Sequence, residues 1–112
     1  MSRKNNKAFG TKREHMVRDW LLERDFWVCR ATGSLGDADL VALKAGDRRL
    51  VEVKGSKHGP YHDFGPSDRA DILFAARLAD CTAWLAWWPP RGQLQWIPAE
   101  DWPLTPTLKV VA

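Results

Sequence analysis

Residues 39–54 read DLVALKAGDRRLVEVK, two apolar stretches separated by a short segment that contains a glycine. Both stretches are rich in Val and Leu and carry no proline, as strands do. A short connection with Gly at its centre is typical of the turn between two antiparallel strands. The sequence therefore predicts a β-hairpin with strands at 39–44 and 48–54 and a turn at 45–47.

The segments on both sides of this hairpin predict an α/β fold. Apolar residues recur at helical spacing after Thr11, which together with Glu14 predicts a capping box at the start of a helix. The predicted elements are a helix at 11–24, a strand at 26–31, the hairpin, a helix from 67 to about 78, and strands at 81–88 and 93–97. This order predicts a restriction-endonuclease-like domain with a central mixed five-stranded sheet flanked by helices.

The length and composition of the chain fit one small intracellular domain. The chain has 112 residues, 45% of them hydrophobic and 28% charged, which suits residues 10–112 as a single domain behind a flexible basic arm at 1–9. No apolar run is long enough to cross a membrane, and no secretory signal is evident. We expect a cytoplasmic, nucleoid-associated protein. Cys29 and Cys81 lack metal-ligand spacing, so we expect buried free thiols.

Positive charge is concentrated at the start of the chain. The first 30 residues hold eight basic side chains against four acidic ones, and no acidic residue precedes Glu14. A basic N-terminal region is the usual electrostatic footprint of a protein that binds a polyphosphate such as DNA. The alternative is a solvated tail that only aids solubility.

The two hairpin strands carry carboxylates that face each other. With the turn centred between Ala45 and Gly46, residues whose numbers sum to 91 are opposed, and Asp39 and Glu52 meet that condition. Opposed side chains of an antiparallel pair have Cβ atoms about 5 Å apart, so two carboxylates there repel each other unless a cation lies between them. Because Mg²⁺ and Mn²⁺ prefer oxygen ligands, the pair predicts a divalent metal site.

Strand alternation adds a lysine to this site. Glu52 and Lys54 share one face of the strand, and the main-chain carbonyl of Val53 between them is a further candidate ligand. The ammonium of Lys54 would hold a metal-bound water, lower its pKa, or stabilise charge on an attacked phosphate. The alternative is a solvated strand face, and a shift of one residue in the register would separate the carboxylates.

Four short pieces of sequence resemble the motifs of one nuclease family. They are GTKRE at 10–14, RATGS at 30–34, DLVA at 39–42 and VEVK at 51–54. In this order they resemble the Gly-x-x-x-Glu opening, the Arg-x-x-Gly-Ser loop and the two active-site strands of archaeal-type Holliday junction resolvases. Those enzymes belong to the PD-(D/E)XK nuclease superfamily, although Ala38 stands where the signature has proline.

The resemblance implies a structure-selective DNA endonuclease of recombination and repair that nicks four-way junctions symmetrically. It implies Mg²⁺ as cofactor, with Mn²⁺ as a substitute, and no small-molecule cofactor. Asp39, Glu52 and Lys54 take the catalytic positions, Glu14 is a third acidic group at the metal, and Ser34 contacts the scissile phosphate. The purely structural alternatives are that Glu14 caps a helix and that Ser34 is an ordinary turn residue. The candidate DNA-binding residues are Arg3, Lys4, Lys7, Lys12, Arg13, Arg30 and Lys57.

The implied substrate also bears on assembly. A four-way junction has two-fold symmetry and needs two cuts, so a homodimer is the expected form. The late strands with Trp84, Trp87, Trp88 and Trp96 and the second helix are candidates for its interface, although core packing is the default for these tryptophans. His58 and His62 are four apart, but Gly59 and Pro60 between them exclude a helical zinc site and favour a DNA-proximal loop. The competing functions are another nuclease on the same core and a non-catalytic DNA-binding module.

Overall fold

A computed structural model of the chain describes residues 3–31 and 38–101, with side chains from Phe9 onward. The elements follow the predicted order. They are α1 (Arg3–Leu22), β1 (Trp27–Arg30), β2 (Leu40–Lys44), β3 (Asp47–Lys54), α2 (Pro66–Ala79), β4 (Thr82–Trp87), β5 (Gln95–Pro98) and a short 3₁₀ helix (Ala99–Asp101).

The five strands form one mixed sheet in the order β1-β2-β3-β4-β5. The first three strands form an antiparallel meander. The crossover through α2 then makes β4 parallel to β3, and β5 returns antiparallel to β4. Parallel neighbours need such a long connection, which explains why α2 lies between β3 and β4 in the sequence.

Each helix covers one face of the sheet, and alternating strand residues serve the two faces. Val51 and Ala86 pack on the α1 side with Val17 and Leu21, all fully buried. The preceding residues of the same strands, Leu50 and Leu85, pack on the α2 side. Their main partners there are Phe64, Ile72 and Ala76. The sheet is thus buried between two helices over its central strands β3 and β4.

The start of α1 differs from the prediction. The helix begins at Arg3, so residues 3–9 are helical rather than a flexible arm, and Thr11 lies inside the helix. The predicted capping box at Thr11 is therefore wrong. The residues before Thr11 include Gly10, which has a low helix propensity, but no proline that would break a helix anchored further along by Val17 and Leu21.

The cysteines also differ from the prediction, because they are not buried. Cys29 is exposed and Cys81 is half-buried, although both are free thiols as expected. Cys29 lies on β1, an edge strand whose residues alternate between exposed and half-buried. Among the residues that the structure describes, no helix has the length and hydropathy needed to cross a membrane.

Candidate active site

The predicted register of the hairpin is confirmed. Leu40 lies opposite Val51, and the pairing continues to Lys44 opposite Asp47, so that opposed numbers sum to 91 throughout. Asp39 comes directly before β2, and its N–H donates to the carbonyl of Val51 at 2.8 Å. The site therefore begins where β2 starts and β3 ends.

Asp39 is held against the end of β3 by its side chain as well. The N–H of Val53 donates to Asp39 Oδ2 at 2.8 Å. The main chain at 51 and 53 thus faces Asp39, whereas the carbonyl of Lys54 faces the other way and accepts from the N–H of Trp88 at 2.8 Å. In a strand the N–H and the carbonyl of one residue point to the same side. The carbonyl of Val53 therefore lies on the Asp39 side of β3, where a metal ligand would need to be.

Lys54 is fixed between Glu52 and the loop that follows β3. Its Nζ lies 3.6 Å from Glu52 Oε2 and donates to the carbonyl of Asp63 at 3.2 Å. The side chains of Lys54 and Glu52 are only 13% and 25% exposed, so this pair is largely removed from solvent. A lysine held in this way keeps its ammonium beside the carboxylates.

Both carboxyl groups are harder to ionise than usual. Burial and the neighbouring Asp39 raise the pKa of Glu52 from 4.5 to about 7, against the opposing effect of Lys54. The pKa of Asp39 is also raised, first by burial and then by the charge of Glu14, although the hydrogen bond from Val53 lowers it. A raised pKa from mutual repulsion and desolvation is typical of carboxylates assembled for a cation or for acid-base chemistry.

These residues suit a hard divalent cation. Two half-buried carboxylates beside a main-chain carbonyl form an all-oxygen donor set, and a cation would relieve the repulsion that raises their pKa values. Within residues 9–31 and 38–101, however, no group of three His, Cys, Asp or Glu side chains is arranged to hold a metal. The oxygen donors that this site offers to a cation are therefore the carboxylates of Asp39 and Glu52 and the carbonyl of Val53.

Glu14 is directed to a different partner. Arg30 Nε donates to Glu14 Oε1 at 2.8 Å, in an ion pair whose side chains are 29% and 20% exposed. Glu14 still acts on Asp39 through its charge, which raises the pKa of that residue. The structure thus brings Glu14 to the edge of the site but does not gather it with the other two carboxylates.

The structure describes the side chains of four of the remaining predicted residues. Lys12 and Lys57 are exposed, and Arg13 and Arg30 are half-buried. Ser34 lies outside the described residues, and of Arg3, Lys4 and Lys7 only the helical backbone is described. The rings of His58 and His62 have centroids 5.3 Å apart in the loop between β3 and α2.

Three contributors to the site did not emerge from sequence reasoning. The carbonyl of Asp63 positions Lys54, and Asp68 adds to the negative charge around Glu52. Asp68 lies in the first turn of α2, where its Oδ2 also accepts from the N–H of Gly65 at 2.9 Å. Gly55 lies against α1 so closely that a Cβ atom would meet Phe9 Cε2 at 2.9 Å.

A mixed five-stranded sheet between two helices, with this hairpin at its centre, is the core of restriction-endonuclease-like proteins. The chain shares that fold with a solved structure of Archaeoglobus fulgidus Hjc, a Holliday junction resolvase from an archaeal hyperthermophile. The TM-score is 0.77, the sequence identity is 24%, and the match covers 87% of this chain and 83% of that chain. No protein-family model and no curated protein sequence matches the chain.

Proposed function

We propose that this protein is a Mg²⁺-dependent endonuclease that resolves Holliday junctions, with Mn²⁺ able to replace Mg²⁺. The observation that carries the proposal is the convergence of Asp39, Glu52 and Lys54 at the end of one hairpin. The shared fold with a Holliday junction resolvase supports the choice of substrate. The reaction is hydrolysis of a phosphodiester bond, leaving a 5′-phosphate and a 3′-hydroxyl.

Asp39, Glu52 and the carbonyl of Val53 would hold the metal. When bound, the metal supplies Lewis-acid chemistry and raises the acidity of water. Lys54 is oriented by the carbonyl of Asp63, so that its ammonium donates to the attacking water or to the phosphate oxygen that gains charge. The burial of Lys54 strengthens that interaction because little solvent screens it.

The DNA is gripped through its phosphates. The candidate phosphate contacts are Lys12 and Arg13 on α1, Arg30 on β1 and Lys57 in the loop after β3, all of them exposed or half-buried. Contacts of this kind orient a duplex arm but carry no sequence information, so shape rather than base sequence selects the substrate. With junction DNA as its substrate, the protein would work in the cytoplasm, at the nucleoid.

The outer face of α2 is the best-supported surface for a homodimer. Phe74 and Leu78, one helical turn apart, are 54% and 73% exposed. Phe74 borders a groove of about 490 Å³ that Asp71 and Arg77 also line, so the same face carries both signs of charge. A two-fold axis through such a surface pairs apolar residues with their copies and each acid with a base.

The test is cleavage of a mobile four-way junction with and without Mg²⁺. We expect paired, symmetric nicks that need the metal and are lost in Glu52→Gln but kept in Glu100→Gln, a matched change at an exposed residue far along the chain. Equal cutting of matched linear duplex would favour another nuclease on this core. Junction binding without any cleavage would indicate a non-catalytic DNA-binding module.

A further inference from the structure

The main chain directly after Lys54 is in unusually close contact with α1. A Cβ atom at Gly55 would lie 2.9 Å from Phe9 Cε2, 3.0 Å from Arg13 Cγ and 3.2 Å from Arg13 Nε. Real Cβ atoms rarely approach other atoms so closely. Alanine at this position would therefore displace the Phe9 ring or the Arg13 side chain, and the contact joins the helix to the residue next to Lys54.

Arg13 has a sulfur atom as its hydrogen-bond acceptor within residues 9–31 and 38–101. Its guanidinium lies over the Phe9 ring at 4.8 Å, and Nη1 donates to Met16 Sδ at 3.1 Å, a weak acceptor. Its Nε is one of two buried side-chain nitrogen or oxygen atoms without a hydrogen-bond partner in the described part of the chain. A buried donor left unpaired costs about 1–3 kcal/mol. Because Nε is buried, it is through the terminal nitrogens of the half-buried Arg13 that an acceptor from outside the protein would be bound.

We propose that Gly55 is a positioning residue that holds Arg13 at the end of β3, where the guanidinium binds a phosphate of the strand being cut. The guanidinium also lies over the Phe9 ring, which limits its movement. The inference rests on the proposed function, because it requires DNA at this edge. Arginine suits the role because its planar fork binds two phosphate oxygens at once.

Two variants and one matched control separate this role from simple packing. Gly55→Ala places a methyl group against Phe9 and Arg13 and displaces the guanidinium. Arg13→Gln removes the charge but keeps the aliphatic stem. Gly10→Ala is the control, since a Cβ at Gly10, in the same helix, meets nothing within 4 Å.

The experiment measures the affinity of each protein for a four-way junction over a range of salt concentrations, with Ca²⁺ in place of Mg²⁺ to prevent cleavage. We expect Arg13→Gln to lower the slope of log affinity against log salt by about 0.9, the value for one phosphate contact. Gly55→Ala should lower it equally, the double variant no further, and Gly10→Ala not at all. Urea unfolding establishes that each variant is folded.

An unchanged slope in Arg13→Gln overturns the proposal even when Gly55→Ala fails to fold. So does an unchanged slope in folded Gly55→Ala, or a further loss when Gly55→Ala is added to Arg13→Gln. A wild-type protein that binds junctions without cutting them in Mg²⁺ refutes the proposed nuclease function, whereas the salt slopes still decide whether Gly55 holds Arg13 against a phosphate. A wild-type protein that binds no DNA refutes both.

Discussion

Replacing Glu52 with Gln is expected to stabilise the metal-free protein above neutral pH. The carboxyl group lies beside Asp39 in a largely buried position, and its pKa is raised from 4.5 to about 7. Gln has nearly the same shape but no charge, so the substitution removes the repulsion and the cost of burying an anion. The active-site acid is thus predicted to reduce the stability of the fold that carries it.

The size of the stabilisation follows from the rise in the pKa of Glu52. A tenfold change in proton affinity is worth about 1.4 kcal/mol, so ionising Glu52 costs the folded protein about 3 kcal/mol. Because the pKa of Glu52 is higher in the folded state, its contribution to the free energy of unfolding is fully present below pH 4.5 and is lost as the pH rises through about 7. Between these values the free energy of unfolding of the wild type should fall, and that of Glu52→Gln should fall much less.

The assay is urea unfolding at several pH values from 4.5 to 8 in the presence of a chelator. Glu100→Gln is the control, because Glu100 is exposed and should follow the wild-type profile. Adding Mg²⁺ at pH 8 should recover stability in the wild type but not in Glu52→Gln, since a ligand of the folded state stabilises by mass action. Parallel pH profiles for wild type and Glu52→Gln would refute the reasoning.

Three further outcomes are expected. Lys54→Met should slow junction cleavage at least about 100-fold while changing binding less than about threefold; equal losses in both assays would contradict a catalytic role. Arg49→Met should lower the free energy of unfolding by about 2 kcal/mol, as measured in urea. The reason is that Arg49 binds Asp47 at 2.8 Å and its guanidinium carbon lies 4.7 Å from the centre of the Trp96 ring. An unchanged urea midpoint would exclude a stabilising role for Arg49. Phe74→Glu should convert the proposed homodimer into monomers in sedimentation, and a dimer that persists in this variant would exclude the α2 face as its interface.

The hairpin was predictable because its register depends on local sequence. Two apolar strands and a turn at Gly46, whose φ is +81°, fix which residues are opposed. From that register the proximity of Asp39 and Glu52 follows, and with strand alternation so does the position of Lys54. The order of helices and strands was likewise predictable from apolar periodicity and from the glycines and prolines between elements.

The residues that complete the site depend on tertiary contacts that no local pattern encodes. The sequence around Gly55 indicates only a loop. Its close contact with Phe9 arises once α1 is packed on the sheet. The same packing pairs Glu14 with Arg30, sixteen residues away, whereas the sequence indicated a cap or a metal ligand. The exposure of Cys29 follows from β1 being at the sheet edge, which the sequence of that strand does not reveal.

Binding of Mn²⁺ to the protein without DNA tests most directly whether Asp39 and Glu52 together hold one divalent cation. Titration calorimetry should find one Mn²⁺ per wild-type chain, and Asp39→Asn and Glu52→Gln should each weaken it at least about tenfold. Glu100→Gln should bind as the wild type does. Unchanged Mn²⁺ affinity in both active-site variants would contradict the account.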